Sequence, residues 1–365
     1  MRLLSSILNR IAYPCLGRAG YFRRRAGKLS VLTYHGVLPE GYQVRDSLLD
    51  GHLISARDFR RQLRLLKTYY SVISPACFRS WLDGKEELPP RAILLTCDDG
   101  LLNIVTDFLP ILQDEQLSCL FFVTSGFFDQ SAGMLWYEEL YLMLMDASAK
   151  EISFSSESIQ VRSALGSLER KHALWSDLVL KLSSLDAHKR QKFLGEMLSK
   201  LGLGGDWQSA YLGDPVLCRR FGLLTRSQVV GLAQAGMTIG AHTASHPVLS
   251  QQPHDLAQAE LVESRKSLEN VVGCEVWAVA YPFGTPQSAG EREFKLAEAA
   301  GYRCAFVNFG GALGTDCSRF SLPRIHISEG IRLSSLEAYV SGFHWSLQQR
   351  FAASPGGSAS RGIGL

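Results

Sequence analysis

Apolar residues in this chain fall into short unbroken runs, separated by stretches in which they recur every third or fourth position. The runs Leu29–Tyr34, Ala92–Thr96, Cys119–Val123, the segment leading into His242, Val276–Ala280, Arg303–Val307 and Leu322–Ile327 read as seven strands. Near-continuous hydrophobicity over a few residues marks strands covered on both faces, as in a parallel sheet. Between them lie helical patterns. One should start at Ser55, where Ser55 and Asp58 can form a capping box and Phe59, Leu63, Leu66 and Tyr70 share a face. Others run from about Thr225 to Gly236, from about Pro253 to Gly273, and around Glu293 to Ala300 before Gly301. Strands alternating with helices predict an α/β barrel.

From about residue 127 to 221 the alternation stops. Leu135–Met145, Leu168–Leu182 and Phe193–Leu201 are Leu-rich and helical in spacing, so a helical insertion is expected there. It reads as a packed appendage that stabilises the domain, with a lid over the barrel mouth as the alternative. The expected organisation is a basic amphipathic segment at 1–28, a barrel domain at 29–345 carrying the insertion, and a flexible tail at 346–365 rich in Gly and Ser.

Charge changes this picture at one end only. The net charge of +3 is too small to imply nucleic acid. Yet no acidic residue precedes Glu40, while Arg2, Arg10, Arg18, Arg23, Arg24, Arg25 and Lys28 are all basic. Leu3, Leu4, Ile7, Leu8 and Ile11 have helical spacing, so this segment suits either an anionic membrane surface or a helix packed on the domain. No segment approaches a membrane span, and Asn9 and Arg10 interrupt the apolar stretch a secretory signal would need. The eight cysteines show no Cys-x-x-Cys spacing, which argues against a zinc ribbon or disulfide framework and favours reduced thiols in the cytoplasm.

Candidate chemistry sits at the ends of two apolar runs. Asp98-Asp99-Gly100 follows Ala92–Cys97, and His242-Thr-Ala-Ser-His246 follows Met237–Ala241. One carboxylate and two imidazoles form a metal set that leaves positions open for water and substrate, and the second carboxylate is placed to act as a base. Neighbouring side chains on a strand point to opposite faces, so Gly100 is expected to let the backbone turn and bring both carboxylates to one pocket. The i, i+4 spacing of the histidines suits one face of a helical turn. These residues predict a metal-dependent hydrolase.

Four motifs then resemble the polysaccharide deacetylase family, the NodB-homology or carbohydrate esterase family 4 group. Thr96-Cys-Asp-Asp-Gly100 is similar to its Thr-Phe-Asp-Asp-Gly motif, and His242-Thr-Ala-Ser-His246-Pro to its His-Thr/Ser-x-x-His-Pro motif. Tyr281-Pro-Phe-Gly284 stands where an Arg-x-Pro-Tyr-Gly motif usually lies, and Leu32-Thr-Tyr-His35-Gly-Val resembles the opening of members associated with exopolysaccharide synthesis. The resemblance covers roughly Leu29 to Gly342 and implies a distorted (β/α)7 barrel of the NodB-homology type.

Carried over by position, the resemblance implies Asp98 as general base and Asp99, His242 and His246 as ligands of a divalent metal, usually zinc, with cobalt or manganese left open. It implies the backbone amide of Phe283 as oxyanion donor and His326, in Arg324-Ile-His326, as the acid; His35 is the other candidate acid. His52, His172, His188, His254 and His344 are expected to be ordinary. The implied reaction is removal of N-acetyl groups from amino sugars of a polysaccharide or its lipid-linked precursor, at the inner face of the cell membrane if residues 1–28 bind it. An O-acetyl esterase and a catalytically silent carbohydrate-binding homologue are the alternatives. One departure matters: Ala280 replaces the arginine that usually braces the base, so either another cation supplies that charge or the Asp98 pKa is higher.

Overall fold

The structure, a computed structural model, describes residues 7–25, 29–128, 133–311 and 317–352. Its parallel strands are β1 (Leu29–Tyr34), β2 (Ser71–Ile73), β3 (Ala92–Cys97) and β4 (Leu120–Val123). After an antiparallel pair, β5 (Glu151–Ser156) and β6 (Ile159–Ala164), follow β7 (Thr238–Ala241), β8 (Ala278–Ala280), β9 (Cys304–Gly310) and β10 (Leu322–His326). Seven of these, in the order β1-β10-β9-β8-β7-β4-β3, close into a parallel barrel through the β1–β3 pairing. They are the seven runs read from the sequence. The short β2 was not foreseen; it pairs with the first residues of β3, leaving Thr96 and Cys97 to pair with β4.

Burial on both faces explains the unbroken apolar runs. Val31, Leu94, Phe122, Ala280 and Phe306 share an inner cluster with Phe78 and Leu82 of the helix Pro75–Leu82. Leu32, Ile93, Leu95, Phe121 and Val279 pack outward against helix residues such as Phe59, Leu63 and Leu261. Continuing that two-residue alternation to the strand ends carries His35, Asp98, His242, Arg324 and His326 to the inner face of one mouth.

The helices start and stop for local reasons. Ser55 caps Ala56–Tyr69 by accepting from the Asp58 N–H, and Thr225 with Gln228 forms a capping box for Arg226–Gln234. Gly273, at φ +69°, ends His254–Val272. The helix expected from Glu293 runs Glu291–Ala299, because Glu293 reaches back to the Gly290 N–H at 2.8 Å.

The insertion contains Trp136–Asp146, Leu168–Leu182 and Ala187–Lys200, built around its own core of Leu140, Leu144, Trp175, Leu178, Phe193 and Met197. Its β5–β6 hairpin was not expected. Glu157 (φ +46°) and Ser158 (φ +64°) make the turn, where a glycine or asparagine would have advertised it.

At the N-terminus, Leu8–Ala12, Tyr13–Arg18 and Tyr21–Arg25 are helical. Tyr13 bonds His344 at 2.8 Å, Phe22 meets Phe343, and Arg23 pairs with Glu337 at 2.5 Å. These contacts hold the segment on the barrel, with Ile7 and Ile11 left exposed. They also explain why the helix Phe343–Ala352 runs into a region expected to be a flexible tail. Leu3, Leu4, Lys28 and the Gly/Ser-rich stretch after 352 lie outside the described residues. Among the described residues no helix is long and apolar enough to cross a membrane.

Candidate active site

β3 delivers both carboxylates, but only one of them as a strand residue. The Asp98 N–H still bonds the Tyr34 carbonyl of β1 at 2.9 Å, so Asp98 keeps the inward position of Thr96. Asp99 (φ +77°) and Gly100 (φ +84°) then leave the strand in the left-handed region. A left-handed aspartate is strained, and such strain is kept only where the surroundings hold it. The turn expected at Gly100 therefore begins one residue earlier, and it brings both carboxylates to one cavity.

β7 delivers His242, whose Nδ1 lies 2.8 Å from the Ala280 carbonyl of β8. That contact directs Nε2 towards Asp99 and supplies the outer partner an imidazole ligand needs. Residues 242–248 are not helical, contrary to the expectation from the His-x-x-x-His spacing. Thr243 (φ +64°) and His246 (φ +56°) turn the backbone, and Thr243 Oγ1 accepts from the His246 N–H at 3.0 Å. The loop still brings the two rings together, with centroids 4.9 Å apart.

The outcome is a tight set. Asp99 Oδ1 lies 3.4 Å from His242 Nε2 and 3.3 Å from His246 Nε2, and all three residues are buried. Among the described residues these three offer one ligand atom each within 4.8 Å of one another, the arrangement a metal ion requires. Asp99 Oδ2 is buried without a hydrogen-bond partner, a lone pair that a cation would satisfy. One oxygen and two nitrogen donors suit zinc and other borderline divalent ions. The donor set therefore fits a divalent metal.

Asp98 is braced by a residue that the sequence did not identify in that role. Arg324 Nη1 and Nη2 donate to Asp98 Oδ1 and Oδ2, each at 2.7 Å. The guanidinium is fully buried, lies over Phe122 and Phe306, and donates through Nη1 to Thr96 Oγ1 at 3.2 Å. Burial would push the Asp98 carboxyl up, but Arg324, with His242 and His35, holds it below the ordinary aspartate value. The cation that Ala280 lacks thus comes from β10. A lone arginine inside the apolar run Leu-Pro-Arg-Ile-His was the available signal.

The cavity, about 250 Å³, is lined by Asp98, Asp99, His242 and His246 together with His35, His52 and His326. The centroids of His52, His35 and His326 follow one another at 5.4 and 5.0 Å. His52, expected to be ordinary, belongs to this wall. Crowding in the cavity wall, then His35, pushes His326 below the ordinary imidazole value, although its side chain is exposed at the end of β10. His172, by contrast, pairs with Asp46 at 2.9 Å away from this wall. The insertion supplies Tyr137, tilted over His246 and Phe283, and Trp175. Phe283 (φ +61°) packs against both Tyr137 and His246, in a turn closed by the Gly284 N–H on the Pro282 carbonyl at 2.7 Å.

The family model described as polysaccharide deacetylase matches residues 205–305, the stretch that carries His242, His246 and Tyr281–Gly284. Over that stretch the chain is similar to the polysaccharide deacetylase family. A relative described as a putative polysaccharide deacetylase, YxkH of Bacillus subtilis (strain 168), is 30% identical over 117 residues, 32% of this chain. That match spans 41% of the relative's own length. Among solved structures, the Streptococcus pyogenes deacetylase PplD in complex with acetate aligns with a TM-score of 0.54 at 17% identity, covering 86% of this chain and 99% of that one. IcaB from Ammonifex degensii aligns at 0.52 and 17%, covering 86% and 97%. At such identities the structures establish a shared barrel fold. The seven-stranded closure is the NodB-type barrel of this family.

Proposed function

We propose that this protein removes N-acetyl groups from amino sugars of a polysaccharide or its lipid-linked precursor, using a divalent metal, zinc by preference. One observation carries the reading. Asp99, His242 and His246 converge beside a second carboxylate, Asp98, that Arg324 keeps ionised.

A divalent ion bound by those three side chains would lower the pKa of a coordinated water and polarise the acetamide carbonyl. Asp98, braced on its far side, takes the proton from the attacking water. The backbone N–H of Phe283 is the donor assigned to the developing oxyanion. His326 is assigned to protonate the leaving amine. The proton for the amine must be taken up during the cycle, and Asp98 is the group that acquires one. Tyr137 and Phe283 offer an apolar wall of the kind that meets a sugar face.

The test is acetate release from N-acetylated and O-acetylated oligosaccharides, with bound metal quantified in wild type and Asp98→Asn. Wild type should act on the N-acetyl substrates. The variant should keep its metal and lose roughly 10²- to 10⁴-fold in turnover. Release from O-acetyl substrates alone would make the protein an esterase. Stoichiometric metal with no turnover on either would make it a silent carbohydrate-binding homologue.

We further propose that the N-terminal helices rest on the inner face of the cell membrane. Ile7 and Ile11 are 49% and 63% exposed, and Arg10 and Arg18 are exposed beside them. Exposed apolar side chains in a segment with exposed arginines suit an anionic lipid surface. Replacing both isoleucines by serine should reduce sedimentation with vesicles containing phosphatidylglycerol; unchanged sedimentation would refute the contact.

A further inference from the structure

The loop that carries His246 does not hold its own shape. Thr243 and His246 both lie at positive φ, and only one side-chain bond within the segment, from the His246 N–H to Thr243 Oγ1, supports that path. The other restraints come from outside. On the barrel side, Glu260 Oε2 accepts the Ala244 and Ser245 N–H groups at 2.9 and 2.8 Å, and Glu260 Oε1 accepts from Ser245 Oγ. On the opposite side stand two residues of the insertion. Arg190 Nη2 donates to Ser245 Oγ at 2.6 Å and to the Ser245 carbonyl at 3.3 Å. Trp136 Nε1 donates to the carbonyl of His246 itself at 2.9 Å.

These two side chains also hold one another, since the Arg190 guanidinium lies 4.9 Å over the Trp136 ring. Both are buried. Arg190 keeps its charge inside the protein with Nη1 unpartnered, and both bonds from its Nη2 go to Ser245 of the ligand loop. Both contacts end on the ligand loop, at the Ser245 side chain and carbonyl and at the His246 carbonyl, while Tyr137 and Trp175 of the same insertion line the cavity.

We propose that the insertion is a brace for metal binding: Arg190 and Trp136 are positioning residues that lock the loop so that the His246 imidazole meets Asp99 and His242. The proposal rests on reading Asp99, His242 and His246 as a metal site. It makes metal affinity a property of the insertion as well as of the barrel.

Co²⁺ and Zn²⁺ are the probes, on the full chain, with affinity read by competition against a chromophoric chelator and Co²⁺ geometry read from its visible absorption. Arg190→Met and Trp136→Phe should each weaken binding roughly 10- to 100-fold and alter the Co²⁺ spectrum, with Arg190→Lys recovering part of the loss. Trp207→Phe is the control, because that indole bonds Asp146 at 2.9 Å within the insertion. It should lower the melting temperature and leave metal affinity within about twofold. Wild-type affinity and spectrum in folded Arg190→Met and Trp136→Phe would overturn the brace. Equal affinity in wild type and Asp99→Ala would instead overturn the reading of the metal site on which it rests.

Discussion

The Asp98 carboxylate and the Arg324 guanidinium, 226 residues apart in the chain, meet inside the barrel through two bonds of 2.7 Å. The pair is buried on both sides, so each group depends on the other to offset its lost hydration. Replacing Arg324 by methionine keeps the volume and leaves a carboxylate alone in the interior. Destabilisation of about 3–5 kcal/mol is expected from such an uncompensated charge. A fall of roughly 100-fold in kcat/KM is expected where a base loses its brace. Arg324→Lys restores the charge without the two-pronged geometry and should fall between. Denaturant melts together with acetate-release kinetics check this, and an Arg324→Met enzyme of wild-type activity would show that turnover does not need the brace.

Removing the metal should cost stability as well as turnover. The buried Asp99 Oδ2 has no other partner, so an ion bound there stabilises the folded state alone. At a free concentration one hundred times its Kd the gain is about 2.7 kcal/mol. Dialysis against a chelator should therefore lower the melting temperature, and added Zn²⁺ should restore it. In Asp99→Ala the melting temperature should not respond to Zn²⁺.

Gly284 sets the position of Phe283. At φ +58° an added Cβ would lie 2.6 Å from the backbone nitrogen and Cβ of Asn308. Gly284→Ala should push the Tyr-Pro-Phe-Gly turn off β9 and cost about 1–3 kcal/mol in stability. A loss of at least roughly tenfold in kcat is expected as well, because a displaced oxyanion donor acts on the transition state. Comparison of kcat with KM separates this from weaker substrate binding.

Glu139 predicts a pH dependence of stability. It is buried in the insertion, and burial pushes its carboxyl up from 4.5 to about 7. A raised pKa in the folded state means that the fold holds the proton more tightly than the unfolded chain. Stability is then highest below pH 4.5 and falls as pH rises towards 7, by about 3 kcal/mol at most. Glu139→Gln should flatten that slope, leaving the share of Glu138, whose carboxyl burial also pushes up to about 7, and be the more stable protein at pH 7.5. Chemical denaturation at pH 5, 6 and 7.5 tests it, and parallel slopes for the two proteins would count against it.

The sequence by itself determined the seven strands, four of the helices between them and the chemistry at two strand ends. Strands buried on both faces must be apolar throughout, and Ser55, Thr225 and Gly273 mark helix ends through local bonding. The sequence could not say what braces Asp98, because that contact exists only once β10 pairs with β1 and β1 closes onto β3. At position 280 it showed a missing arginine, whereas the fold uses the Ala280 carbonyl to aim His242. The histidine spacing suggested a helical turn, since four residues span one turn of helix. Tertiary hydrogen bonds from Glu260, Arg190 and Trp136 outweigh that local preference, and they reach the loop only after the barrel and the insertion have packed together.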